Sequence, residues 1–263
     1  MADAATNNTA TSDSDRVETD VVGHTLVVKL VRHAKRNAID GEMTQAIDAA
    51  LNRLEDDPNL WVGIMTGGDD MFCAGTDMAA TSGSPTERGG IYGVVGRQRT
   101  KPLIASVEGV AFGGGFEVVM ACDIVIAASN ARFALPEVKR GLLASSGAMF
   151  RAARVLPLNV AKYLVATGSE MSPIDGERHG FVNQVCEPGT ALDVALEVAA
   201  AICENSPFAV QHSLQAIDRI VAVDDAEAWA ISAEYRNLVM ASEDSKEGVA
   251  AFFEKRTPTW TGR

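Results

Sequence analysis

Apolar and polar positions divide this chain into a front of alternating strand and helix signals and a rear that reads as helix alone. Val17 to Val22 and Thr25 to Val31 have the make-up of two strands hinged at Gly23-His24. Over residues 42–55 the apolar side chains Met43, Ile47, Leu51 and Leu54 recur on one helical face. Trp61 to Thr66 is an apolar run of strand length, closed by the turn Gly67-Gly68-Asp69-Asp70. Residues 80–90, rich in Thr, Ser, Gly and Pro, read as a mobile surface loop. A second unit runs from a strand at Leu103 to Val107, through three glycines, into a helix from Gly114 to Ala121. Asp123 to Ala127 and Arg132 to Ala134 are the next strands. The recurrence of strand, turn and helix, without a sequence repeat, predicts a wound α/β core.

Beyond residue 145 the pattern turns helical. Ser172-Pro173 and Ser206-Pro207 each place an N-cap serine before a proline at the first helical position. Asp224 followed by Glu227 resembles a capping box. Val210, Leu214, Ile217 and Val221, then Ile231, Tyr235 and Leu238, form helical faces, and the last helix is expected to stop by Thr257, ahead of Pro258. Residues 1–15 lack apolar periodicity and read as a disordered tail. The expected organisation is that tail, an α/β core over 16–205, and a helical region over 206–263 of a kind that packs on a neighbouring subunit.

Composition narrows the function. With 263 residues, 47% of them hydrophobic, the chain can bury one large core. A formal net charge of −12 disfavours nucleic acid and anionic membranes as partners, since both call for a basic surface. No apolar run reaches the length of a membrane span, and no basic-then-apolar leader is visible. Cys73, Cys122, Cys186 and Cys203 contain no C-x-x-C spacing, and His24, His33, His179 and His212 form no metal-binding pair. Reduced cysteines, no metal and a cytoplasmic location are the expectation.

The chemistry concentrates in three short motifs. Gly113-Gly114-Gly115-Phe116-Glu117 follows a strand and opens a helix, so its free N–H groups favour negative charge. Phe72-Cys73-Ala74-Gly75-Thr76-Asp77-Met78 follows the Trp61–Thr66 strand, with small residues that allow close backbone approach and an Asp77 suited to capping a following helix. Together the two turns offer a pair of backbone donors, which is what an oxyanion hole needs. Phe133-Ala134-Leu135-Pro136-Glu137 places a second carboxylate twenty residues after Glu117. Taken singly, each motif also has a plain structural account: a tight turn, a first-turn glutamate, a solvated loop glutamate. Surrounded by apolar residues, either carboxyl would be pushed toward neutral pKa values that suit acid–base work. Neither a phosphate loop nor a G-x-S-x-G elbow is present.

From about Val17 to the C-terminus these residues resemble the crotonase family, the enoyl-CoA hydratase/isomerase superfamily, through F-C-A-G-T-D-M, G-G-G-F-E and F-A-L-P-E. The resemblance implies an α/β, crotonase-type ββα spiral core with a C-terminal helical region. It implies an enoyl-CoA hydratase, with the thioester oxygen held by the amides of Thr76 and Gly114 and with Glu117 and Glu137 handling water and proton. Both acids are present, whereas family isomerases generally keep the second alone. The carnitinyl-CoA dehydratase branch is the alternative within the enzymes, and a non-catalytic acyl-CoA binder is the alternative outside them. Ala74, Asp77, Met78 and Gly113 are implied substrate contacts. Lys35 and Arg36, in Arg32-His33-Ala34-Lys35-Arg36-Asn37, are implied phosphate contacts, and Phe252 and Lys255 are implied to reach the adenine of a neighbour's CoA. No cofactor beyond the CoA of the substrate is implied, and the assembly expected is a homotrimer or a dimer of trimers. One stretch departs from the family: after Glu137 the chain carries Gly141-Leu-Leu-Ala-Ser-Ser-Gly-Ala148, bulkier and richer in serine than the family's proline and glycines.

Overall fold

A computed structural model describes residues 16–221 and 225–259. The 1–15 segment, the Asp224 cap and the side chains of Ile231, Tyr235 and Leu238 lie outside the described residues. In chain order the elements are β1 (Val17–Val22), β2 (Thr25–Leu30), α1 (Gly41–Asp56), β3 (Val62–Thr66), β4 (Leu103–Val107), β5 (Val110–Phe112) and α2 (Gly114–Met120). Then come β6 (Ile124–Ala128), β7 (Arg132–Ala134), α3 (Ala148–Val155), α4 (Leu158–Thr167), β8 (Glu170–Met171), α5 (Pro173–Arg178) and β9 (Gln184–Cys186). The chain closes with α6 (Ala191–Cys203), α7 (Pro207–Val221), α8 (Asp225–Ala241) and α9 (Glu243–Glu254).

Two sheets organise these elements. The larger has the order β1-β2-β3-β4-β6-β9, and the smaller β5-β7-β8. In the larger sheet β1 pairs antiparallel to β2, and every later neighbour is parallel. Twice the chain leaves the large sheet and at once enters the small one, from β4 to β5 and from β6 to β7. That repeated step is the physical form of the ββα spiral. β3 and β4 are buried along their whole length, which is why they read as continuous apolar runs rather than alternating ones. One face of the large sheet packs Val27, Val62, Ile64, Ile104 and Ile126 against Ala195 and Ala199 of α6. The other packs Val28, Met65, Leu103 and Ala105 into the main core with α1 and α2, where Phe116, Phe133 and Phe181 meet ring to ring.

The long elements lie where the hydrophobic pattern places them, within a residue or so at each end. Ser172 caps α5 by accepting from the Asp175 amide, and Ser206 accepts from Ala209 ahead of α7. α9 ends at Glu254, with Lys255 in the left-handed region, before Thr257. The strands β5, β8 and β9 are too short to show a period, and the hydrophobic pattern does not mark them. The 80–90 segment lies against α1, where Thr86 bonds Asp48, Ser82 accepts from Thr44, and Arg88 pairs with Asp56. No helix opens behind Asp77. Its carboxylate caps a turn instead, accepting from the amides of Ala79 and Ala80. Among the described residues no helix is long and apolar enough to cross a membrane.

The rear helices return to the front of the molecule. α9 lies so close to the turn after β7 that a Cβ on Gly248 would sit 2.2 Å from the carbonyl oxygen of Arg140. A Cβ on Gly141 would likewise meet the Asp244 carbonyl at 2.4 Å. Glycine at both positions lets α9 brace the segment that carries Glu137.

Candidate active site

The two sequence turns meet backbone to backbone. Strand β5 takes the Phe72–Met78 turn as a neighbour: the Cys73 amide donates to Val110 O at 2.9 Å, and the Phe112 amide to Cys73 O at 3.0 Å. Gly75, with φ +102°, leaves room at the crossing, since a Cβ there would lie 2.8 Å from Phe112 O and 3.3 Å from Gly114 N. At the front of the turn the buried Asn37 amide group donates to the carbonyls of Gly67, Met71 and Phe72. At its rear Arg32 bridges Asp77 at 2.7 Å and Asp40 at 3.0 Å. The Arg32 guanidinium thereby holds the Asp77 carboxyl below the usual carboxylate range. Gly113, with φ +53°, turns the chain into α2, whose first amides have no carbonyl a turn behind them to bond. Among the described residues the amides of Thr76 and Gly114 donate to no acceptor. Two unspent donors therefore stand close together, one on the Phe72–Met78 turn and one at the start of α2.

Both glutamates turn toward this spot. Glu117 lies on the first turn of α2 and is 2% exposed. Its Oε1 accepts from the Ser146 amide at 2.6 Å and the Ala148 amide at 3.2 Å, so the serine-rich turn ahead of α3 holds it in place. Glu137 sits on a short helical turn, Pro136–Arg140, and is no solvated loop residue: its Oε2 is buried with no partner among the described residues. A Cβ on Gly113 would stand 3.0 Å from its Oε1, which places the carboxylate over the start of α2. Burial pushes the Glu117 carboxyl well up, against the pull of the two amides. Burial also raises Glu137, and the charge of Glu117 raises it further. The two titrate together, and the first proton is held by the pair.

A stability consequence follows with a definite sign. A carboxyl whose folded pKa lies above its unfolded value stabilises the fold below the unfolded value, near 4.3 for glutamate. That contribution is lost as pH rises through the folded value. Glu137→Gln removes the ionisation, so the variant should melt at a higher temperature than the parent at alkaline pH. The gap should narrow as pH falls toward the ordinary glutamate range; a melting-temperature series across pH checks it.

Sequence reasoning misses one side chain here. Tyr92, in the helical turn Ile91–Gly93, has φ +57° and is 4% exposed. Its hydroxyl lies 2.7 Å from Thr76 Oγ1 and accepts from Ser146 Oγ at 3.2 Å. Nothing periodic marks Tyr92; the glycines at 89, 90 and 93 around it are the one available signal. Ser146 and Ala148 do fall in the stretch that departs from the family pattern; both hold Glu117 through backbone amides that any residue type but proline would supply, and Ser146 adds its hydroxyl to Tyr92.

The model of the family described as "Enoyl-CoA hydratase/isomerase" matches residues 23–263. The chain belongs to the enoyl-CoA hydratase/isomerase family. It is similar to "Enoyl-CoA hydratase EchA19" of Mycobacterium tuberculosis, with 38% identity over 92% of this chain and 94% of that one. It is also similar to a carnitinyl-CoA dehydratase of Salmonella arizonae, with 39% identity over 87% of this chain and 92% of the relative. Among solved structures, a carnitinyl-CoA hydratase from Mycobacterium avium superposes with a TM-score of 0.90 at 37% identity, covering 95% of this chain and all of that one. The crotonase-type fold expected from the motifs is thus the fold the chain has.

The remaining contacts implied for an enoyl-CoA hydratase/isomerase fold fall into two groups. Lys35 and Arg36 are exposed on the helical turn His33–Lys35 and its left-handed end. The Ala74 amide bonds the Arg36 carbonyl at 3.0 Å, so both cations border the Phe72–Met78 turn. Ala74 and Met78 are half-buried in that turn, and Gly113 is the N-cap of α2. Asp77 is engaged by Arg32, so its carboxylate orders the turn and is not held out toward a ligand. Phe252 lies elsewhere, on α9, with the Arg140 guanidinium 5.0 Å above its ring. It lines a cavity of about 330 Å³ with Phe112, Lys139 and Arg256. Lys255 is exposed at the end of α9.

Proposed function

We propose that the protein hydrates 2-enoyl-CoA thioesters, with Glu117 as base, Glu137 as acid and the amides of Thr76 and Gly114 as the oxyanion hole. The observation that carries this reading is the meeting of two buried carboxyls beside two unspent backbone donors. The thioester oxygen accepts from both amides, which draws electron density from the conjugated double bond. Water then attacks the β-carbon: Glu117 takes one proton as the carbon–oxygen bond forms, and the π electrons move toward the thioester as an enolate. Glu137 returns a proton to the α-carbon, and the elements of water have been added. The reaction needs one ionised and one protonated carboxyl, and a buried, mutually repelling pair supplies that state at neutral pH. Glu117 accepts two amide hydrogen bonds and so is the one to ionise first; Glu137, with an unpartnered oxygen, keeps the proton. CoA phosphates are assigned to Lys35 and Arg36, whose charge is exposed beside the cradle.

The similar proteins include enoyl-CoA hydratases, a mevalonyl-CoA hydratase and carnitinyl-CoA dehydratases or hydratases, and the last of these support a second reading with the same chemistry on a carnitine-derived acyl group. A panel of enoyl-CoAs of graded length and branching, with carnitinyl-CoA run in the reverse direction, separates the two. Loss of enoyl-thioester absorbance on crotonyl-CoA or a longer chain is expected. Turnover confined to carnitinyl-CoA would favour the second reading. CoA binding without turnover on any member would leave an acyl-CoA binder. A homotrimer or a dimer of trimers is proposed for the assembly, supported by the exposed apolar side chains Phe208, Ile217 and Val221 on α7 and Met240 on α8.

A further inference from the structure

Tyr92 takes no part in the chemistry above, yet its hydroxyl lies among the groups that do. The ring packs on the start of α2: a Cβ on Gly114 would come within 2.6 Å of the phenol oxygen and 2.7 Å of the carbon that bears it. The same oxygen reaches Thr76 Oγ1 at 2.7 Å, on the residue whose amide is the other unspent donor. Burial, reinforced by the charges of Glu117 and Glu137, holds the phenol far above its ordinary pKa, so it keeps its proton.

Tyr92, Thr76 and Ser146 carry one hydroxyl proton each. The Ser146 hydroxyl is shared between the phenol oxygen, at 3.2 Å, and the Glu117 carboxylate, and the Tyr92–Thr76 bond can run in either direction. The phenol oxygen is thus flanked by two hydroxyls and set against the start of α2, between the two residues whose amides have no acceptor among the described residues. When Thr76 and Ser146 both donate to Tyr92, the phenol oxygen accepts two hydrogen bonds, its capacity as an acceptor is filled, and its own proton is freed and polarised.

We propose that the Tyr92 hydroxyl is a third hydrogen-bond donor to the thioester oxygen, backed by Thr76 and Ser146, alongside the amides of Thr76 and Gly114. The inference rests on the acyl-CoA reading of the site and deepens it. It makes Tyr92 a catalytic residue, because the developing enolate oxygen is more strongly bound than the ground-state carbonyl.

The test uses butanoyl-CoA labelled with carbon-13 at the carbonyl. It has no double bond to hydrate, so the readout is independent of turnover. Its carbonyl stretch, measured by difference infrared spectroscopy, should fall to lower frequency on binding the parent enzyme. Tyr92→Phe should recover part of that fall while binding butanoyl-CoA within a fewfold of the parent. On crotonyl-CoA the same variant should lose about a hundredfold in kcat, with KM little changed. A bound stretch identical in parent and Tyr92→Phe overturns the proposal. Should that variant fail to fold, Ser146→Ala takes one of the phenol's two donors: a smaller recovery supports the proposal and an unchanged stretch overturns it. A shifted stretch in a parent enzyme that hydrates no enoyl-CoA would sink the hydratase reading and leave the third donor standing. Hydration with a stretch indifferent to Tyr92 would do the reverse.

Discussion

Glu117→Gln and Glu137→Gln should each lower kcat on the best enoyl-CoA by about a hundredfold to ten-thousandfold, with KM for the thioester nearly unchanged. Glutamine keeps the volume and one acceptor oxygen, so at position 117 it can still accept from the Ser146 amide. What it cannot do is take a proton from water. At position 137 glutamine cannot give one to carbon with any useful driving force. The two residues act on one addition, so the double variant should be little worse than the weaker single variant. Steady-state kinetics with all three proteins checks this; two independent, multiplying losses would show that the acids do not serve a single step.

Gly75→Ala should abolish most of the activity by a different route. Alanine at φ +102° costs about 1–3 kcal/mol in backbone strain. Its Cβ would also press on Phe112 O at 2.8 Å, closer than real contacts allow, and on Gly114 N at 3.3 Å. The cheapest relief is to move the Thr76 turn away from α2. That separates the two donors, and a misplacement of about 1 Å at a reacting centre costs on the order of a hundredfold in rate. Gly180 provides the comparison: it too has a positive φ, +79°, but nothing lies within 4 Å of a Cβ built there. Gly180→Ala should therefore lose stability through strain alone and retain its turnover. Urea unfolding midpoints together with kcat for the two variants separate strain from damage to the cradle.

How much of this was legible in the sequence depends on the range over which each feature is determined. Buried strands such as Leu103–Val107 and the amphipathic helix at 42–55 carry their pattern within themselves, and the structure places them there. The three-residue strands Val110–Phe112 and Gln184–Cys186 owe their conformation to neighbours far away in sequence, and no local period marks them. Glu117, Glu137, Thr76 and Gly114 stood out through motifs that only together resemble one family. The structure brings these four to a single place. From its neighbours alone Asp77 reads as a cap or a ligand contact, and its role turns on Arg32, 45 residues earlier, which nothing local reveals. Tyr92 was invisible for the same reason: its partners Thr76 and Ser146 lie 16 and 54 positions away.

The most direct measurement runs the reaction on crotonyl-CoA in water enriched in both deuterium and oxygen-18, with mass analysis of the product. If Glu117 and Glu137 add water across the double bond, the product is a 3-hydroxyacyl-CoA. It carries one oxygen-18 at the β-carbon and one carbon-bound deuterium at the α-carbon, and both labels vanish with the double glutamine variant. A deuterated enoyl-CoA with its double bond moved and no oxygen gained, or a substrate recovered unlabelled from folded, CoA-binding protein, would contradict that assignment.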